Sequence, residues 1–167
     1  AQMVGLKPPG RLCRSDILVT ETLPPFLVPF TACGDYGCFR QARSGNLLIG
    51  FGGRPVADYS KRQTSYEAVA VATRRAATII PGLRSVSIIQ TFTGFNMWTP
   101  DSLPILGPVQ RPQGFFMAAE MNGTGFAIGP ACGMLLAEWM LNGRPSLPMD
   151  AFTPARFGEE VFNWSKS

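Results

Sequence analysis

The sequence predicts an α+β chain: an antiparallel-rich sheet with one flanking helix, followed by a closing strand, loop and helix. Three observations carry this expectation. β-Branched and apolar runs recur between turns rich in glycine and proline, as at residues 16–21 and 47–51. Residues 64–80 keep a helical period behind a Thr-x-x-Glu start. Residues 130–141 are almost wholly apolar and follow a loop of small residues.

In chain order, residues 16–21 (DILVTE) form the first strand, which Leu23-Pro-Pro-Phe ends. Residues 38–42 and 47–51 flank Arg43-Ser-Gly-Asn and predict a hairpin, after which Gly52-Gly53 releases the chain into a polar loop. In the helix at 64–80, Thr64 and Glu67 form a capping box. Tyr66, Val69, Ala70, Thr73, Ala77 and Ile80 share one face, and Pro81-Gly82 stops it. Residues 86–95 are a long β-rich run, and Thr99-Pro-Asp-Ser is a turn in which Asp101 caps nearby amides. Residues 104–107 and 114–119 are short strands. The second helix opens at Pro130 and closes at Asn142-Gly143. With Glu138 its only charge, it is expected to be buried on several sides, and the tail at 149–157 to run extended.

Composition narrows the function classes. Charged residues make up 16% of the 167 positions, well below the roughly 25% of an ordinary soluble domain, so some surface is expected to be covered by another domain or partner. The net charge is +4 and the isoelectric point near 9.1, but the basic residues are scattered and form no stripe or nucleic-acid motif. The chain has no histidine, and its four cysteines show no C-x-x-C spacing, so no metal site is predicted. The apolar stretch near 131–141 is too short to span a bilayer. These features predict a cytoplasmic protein with reduced thiols, no membrane span and no nucleic-acid partner.

One place carries chemistry on its residues alone: the loop Asn122-Gly123-Thr124-Gly125-Phe126 ahead of the second helix. Glycines let a flat ligand approach the backbone, and free amides at a helix start favour negative charge. A reduced flavin is negative along its N1/C2 carbonyl edge, which suits such a terminus. An ordinary strand–loop–helix joint has the same letters.

The order of segments adds to this. The series Phe39-Arg-Gln, Gly45-Asn-Leu-Leu-Ile-Gly, Ile80-Pro-Gly-Leu, Thr93-Gly-Phe, Thr99-Pro-Asp-Ser-Leu-Pro-Ile-Leu-Gly-Pro, Gly114-Phe-Phe-Met-Ala-Ala and Asn122-Gly-Thr-Gly-Phe resembles the second half of the D-amino-acid oxidase family of flavoproteins. That family includes glycine, sarcosine and opine oxidases and hydrogen cyanide synthase subunits. The resemblance implies a fragment of a two-domain flavoprotein. Residues 1–95 would be part of the substrate-binding domain, 96–145 the C-terminal piece of the FAD-binding domain, and 146–167 an extended tail. It implies FAD held mostly by an N-terminal segment absent from this chain, or by other subunits of a hetero-oligomer. The implied reaction is oxidation of the C–N bond of a small amino acid or secondary amine (glycine, sarcosine, proline or opine type) by hydride transfer to flavin.

Departures from the family pattern bear on the site. No G-x-G-x-x-G is present, so the isolated chain is expected to be inactive. Asn96 stands where the family commonly places a carboxylate-binding arginine, which leaves Arg40 as the next candidate clamp. Thr124 replaces a histidine. No cysteine lies a few residues before Thr99-Pro-Asp, which argues against covalent flavin by that route, and Cys13-Arg-Ser-Asp16 replaces a basic-Gly-Gln start. Catalytic residues thus stay open, with Arg40, Asn96 and Trp98 as candidates and Tyr36 or Tyr59 as conceivable bases. Met97 and Trp98 border the flavin or fill core. The alternative reading is a non-catalytic binding or assembly module on the same fold.

Overall fold

Strand β1 (Arg11–Thr22) extends beyond 16–21 at both ends, because its pairing with the strand Asn46–Pro55 continues from Cys13 to Thr22 across two register shifts. Asp16, Leu18 and Thr20 are buried on one face, as a period of two requires. The computed structural model describes residues 2–27, 30–34, 37–57, 59–60 and 62–158. Tyr36 lies outside these residues. The chain divides into two units, Cys13–Phe95 and Ala1–Leu12 with Asn96–Ser167.

The first unit is a five-stranded sheet covered by a helix. After β1 come β2 (Thr31–Ala32), β3 (Cys38–Gln41), β4 (Asn46–Pro55) and β5 (Ile88–Trp98), in spatial order β2-β3-β4-β1-β5. The expected hairpin is present: β3 pairs antiparallel with β4, Phe39 opposite Ile49. Its turn closes through Gly45 N–H to the Ala42 carbonyl (2.9 Å). Gly45 has φ +90°, and a Cβ there would strike the Leu23 carbonyl and the Thr22 side chain, so only glycine fits. The Gln41 side chain fixes the adjoining loop, accepting from the Phe26 and Leu27 amides and donating to the Pro24 carbonyl.

Gly52-Gly53 does not release the chain. The strand continues to Pro55, since β4 keeps its pairing with β1 through Ser15–Gly52 and Arg14–Arg54 across a register shift.

Helix α1 (Tyr66–Ile79) forms where the period places it, with two corrections. Its N-cap is Ser65, whose Oγ accepts from the Ala68 amide (3.2 Å); Thr64 donates its hydroxyl to Asp16 instead. The buried face is Ala68, Ala72 and Ala76, not the larger stripe through Val69, Thr73 and Ala77. Methyl groups let the helix lie close on Leu18, Phe39, Leu47 and Ile49, the core of this unit. Each large apolar side chain fully buried there contributes about 1.5–3 kcal/mol.

The second unit holds a two-stranded ribbon, β6 (Ile105–Pro108) with β7 (Phe116–Ala119), and helix α2 (Gly125–Asn142). One cluster gathers Leu6, Ile105, Val109 and Met117; another gathers Leu106 with Cys132, Leu135, Leu136 and Met149. Helix α2 starts five residues before Pro130, because the Ala127 and Ile128 amides already bond to the Thr124 carbonyl. Nor is it buried on several sides: only Cys132, Leu135 and Leu136 are buried, while Phe126, Met134, Met140 and Leu141 are exposed. Gly143, left-handed at φ +75°, ends it. The tail is not extended but makes two short 3-10 turns, Asp150–Phe152 and Pro154–Phe157, opened by Met149 and Thr153.

Candidate functional site

The loop between β7 and α2 is built from unusual backbone. Glu120 and Asn122 take positive φ (51° each) although neither is glycine, and Gly123 follows at φ +78°. Left-handed residues in series cost about 1–3 kcal/mol where they are not glycine, so surrounding bonds must hold them. Asn122 is held by its side chain: Oδ1 accepts from the Thr99 amide (2.8 Å) and Nδ2 donates to the Glu120 carbonyl (2.8 Å). Its amide is therefore consumed in tying the loop to the end of β5, and only its backbone is left for a ligand.

Thr124 also turns inward. Its hydroxyl donates to the Met121 carbonyl (2.6 Å) and gives the helix no side-chain cap. The amides of Gly125 and Phe126 consequently find no acceptor among the described residues. Unpaired amides at a helix start, with no acidic residue in the first turn, are a seat for partial negative charge. The Phe126 ring is fully exposed.

Trp98 ends β5 beside this loop. A Cβ placed on Gly123 would lie 3.9 Å from Trp98 Cζ2 and within 4 Å of nothing else. Among the described residues, the buried Trp98 indole N–H has no partner, and neither has Glu120 Oε2. Unpaired buried polar atoms are few in folded proteins and need an explanation. Burial pushes the Glu120 carboxyl above its usual range, against the Gly10 amide that donates to Oε1 (3.1 Å). Glu120 is absent from the residues the sequence singles out; a lone acid between Ala119 and Met121 gives no periodic or motif signal.

The structure thus brings Trp98 together with the loop 122–126. Asn96 is half-buried two residues before Trp98, and it carries no charge. Arg40 stands exposed on β3, its neighbour Phe39 pointing into the core. Tyr59 is exposed and packs edge-on against Phe95, ring centres 5.3 Å apart. Asp101 caps its turn as expected, accepting from the Leu103 amide (3.1 Å). It also pairs with Arg156 (2.7 Å), whose hydrogen bond holds the Asp101 carboxyl well below the usual carboxylate range. Pairing with a tail arginine 55 positions away is invisible to local patterns.

A second polar cluster centres on Asp16, which is buried. Arg14 (2.8 Å), Thr93 (2.6 Å) and Thr64 (3.1 Å) all donate to its Oδ1. Burial raises its pKa, but these bonds outweigh burial and hold the carboxyl below its ordinary value. Because every donor is paired within the fold, the cluster ties β1, β5 and the approach to α1. Among the described residues, no group of three or more acidic, cysteine or histidine side chains could hold a metal ion, and no helix is long and apolar enough to cross a membrane.

Comparison with known proteins bears on what this loop serves. The sequence pattern of a family described as FAD-dependent oxidoreductase (DAO) matches residues 1–139. A subunit of opine oxidase from Rhizobium meliloti is 31% identical over 157 residues, 94% of this chain and 40% of that relative. A hydrogen cyanide synthase subunit of Pseudomonas aeruginosa is 30% identical over 160 residues, 93% of this chain and 37% of that relative. Among solved structures, L-proline dehydrogenase from P. horikoshii superposes with a TM-score of 0.83 at 26% identity, over 93% of this chain and 42% of that one. The chain therefore spans about two fifths of the length of these relatives.

Proposed function

Because the chain belongs to the DAO family of FAD-dependent oxidoreductases, whose cofactor is FAD, we propose that the loop Asn122–Phe126 carries one edge of the flavin in an enzyme that oxidises the C–N bond of an amino acid or secondary amine. The observation that carries this reading is the pair of unpartnered amides at Gly125 and Phe126, beside the open backbone of Gly123. These residues fit the group: a left-handed glycine with little crowding at its Cβ position lets a flat ring approach the backbone, and the helix start favours charge on its N1/C2 edge. FAD, when bound, supplies the acceptor for the hydride leaving the substrate carbon.

The chain's own residues orient and exclude. Asn122 and Thr124, both bonded inward, keep the loop backbone aimed outward. Trp98 packs behind Gly123 and leaves its indole N–H as a buried donor close to the loop. Within Cys13–Phe95, Arg40 is an exposed guanidinium of the kind a carboxylate pairs with, a charge Asn96 lacks.

The protein that completes the site is the segment binding the FAD pyrophosphate, in the same polypeptide or another subunit. The uncovered apolar side of α2, from Phe126 through Met134 to Leu141, is where that segment packs. The isolated chain is then inactive. The four free thiols suit a reducing compartment such as the cytoplasm.

The test is spectroscopic. The protein purified with its remaining segments should be yellow, with the absorbance bands of bound flavin. A colourless, folded assembly that takes up no added FAD defeats the reading.

A further inference from the structure

The stripe of α1 that periodicity marks as apolar is not the stripe it buries, and the difference leaves a groove. Val69, Ala70, Thr73 and Ala77 line one wall of a cavity of about 520 Å³. Its floor includes Thr20, Ile49 and Ala76, all buried. Leu83, Val86 and Ile88 close the far side. This volume falls within the roughly 300–1,000 Å³ usual for small-molecule sites.

The polar groups along the groove are mostly spent. Thr73 donates its hydroxyl to the Val69 carbonyl (2.9 Å), and Thr78 to the Arg74 carbonyl (3.1 Å). Thr20 donates to the Glu21 carbonyl (2.7 Å) and accepts from the Leu47 amide (2.9 Å). What remains is the Tyr66 hydroxyl and charge of one sign: Arg74 and Arg84 both line the cavity, both are exposed, and no Asp or Glu lines it. Among the described residues neither guanidinium has a hydrogen-bond partner or ion pair.

We propose that this groove binds a small amphiphile, an oxyanion head on an apolar chain, with Arg74 and Arg84 meeting the head and the α1 stripe meeting the chain. Guanidinium is suited to the head, since its planar fork matches carboxylate and phosphate oxygens. A neutral ligand leaves both cations unanswered, and a purely polar one leaves the apolar walls wet. The site lies wholly within Cys13–Phe95 and is independent of the flavin reading.

The experiment is calorimetric titration of the full chain with decanoate, decyl phosphate and decanol. One anion, or both, should saturate a single site, the tighter one identifying the head group, with decanol at least tenfold weaker. Substituting Arg74→Ala together with Arg84→Ala should weaken the anion at least tenfold while the melting temperature stays put. Ala77→Phe should fill the groove and abolish binding. The proposal is overturned if neither anion saturates, if decanol matches them, or if the double arginine variant binds like the parent chain.

Discussion

Asn122 and Thr99 are joined at one oxygen: the Thr99 amide reaches Asn122 Oδ1 at 2.8 Å, and the Thr99 hydroxyl, which also donates to Leu103, lies 3.1 Å from it. This contact holds a left-handed asparagine next to a left-handed glycine. Asn122→Ala leaves a buried amide unpaired and should cost about 1–3 kcal/mol, read by urea denaturation. A variant within 0.5 kcal/mol of the parent, roughly the scatter of neutral surface changes, contradicts the role.

Asp16 makes stability sensitive to acid. Its folded carboxyl titrates below its unfolded value, so its contribution is present above about pH 4 and drains away as pH falls through the folded value. Asp16→Asn should lose about 2–3 kcal/mol at neutral pH and flatten the acid limb of a stability profile. An unchanged limb rules the network out as its source.

Glu120 has the opposite sign. Burial raises its folded value, so its share of stability is complete below about pH 4.3 and is lost as pH rises through the higher folded value. The Gly10 amide and Arg156 act against that rise. Glu120→Gln should therefore gain stability at neutral pH relative to the parent and lose nothing in acid; denaturation midpoints at both pH values decide it.

Gly107 has φ +124°, and a Cβ there would come within 3.1 Å of Trp139 Cζ3. Gly107→Ala should destabilise by about 1–3 kcal/mol through strain and crowding, with Trp139 fluorescence shifted toward that of a wetter indole. An alanine variant with the parent's melting point and spectrum argues against the close packing.

Phe126 is bare in this chain. Phe126→Ser should change the chain's own stability by no more than about 0.5 kcal/mol yet weaken its association with the flavin-bearing segment. Binding measured by co-purification that is indifferent to the substitution counts against α2 as the covered surface.

What the sequence made legible, and what it hid, follows from the range of the forces involved. The hairpin around Gly45 and the end of α1 are set by neighbours a few positions away, and so could be read, whereas the cap falls on Ser65 because Thr64 is taken up by the distant Asp16. The choice of Ala68, Ala72 and Ala76 as the seated face could not, because it depends on how near a separate sheet lies. Asp101 was legible as a turn cap, while its bond to Arg156 was not. At the loop, Gly123 and Gly125 announced themselves by composition, whereas Glu120 and the orphaned Trp98 indole emerge only from packing. The early opening of α2 is not legible because Pro130 reads as a first-turn residue, and a helix that forgoes one amide looks the same in letters.

The alanine seam beneath α1 links two properties that are usually separate. With alanine methyls at all three buried positions of the helix, its clearance from the sheet is set along Ala68, Ala72 and Ala76, and Val69 and Ile80 on its shoulders pack beside them. Enlarging Ala72 alone would lever the helix outward like a shim, and the channel alongside would widen before the fold gave way.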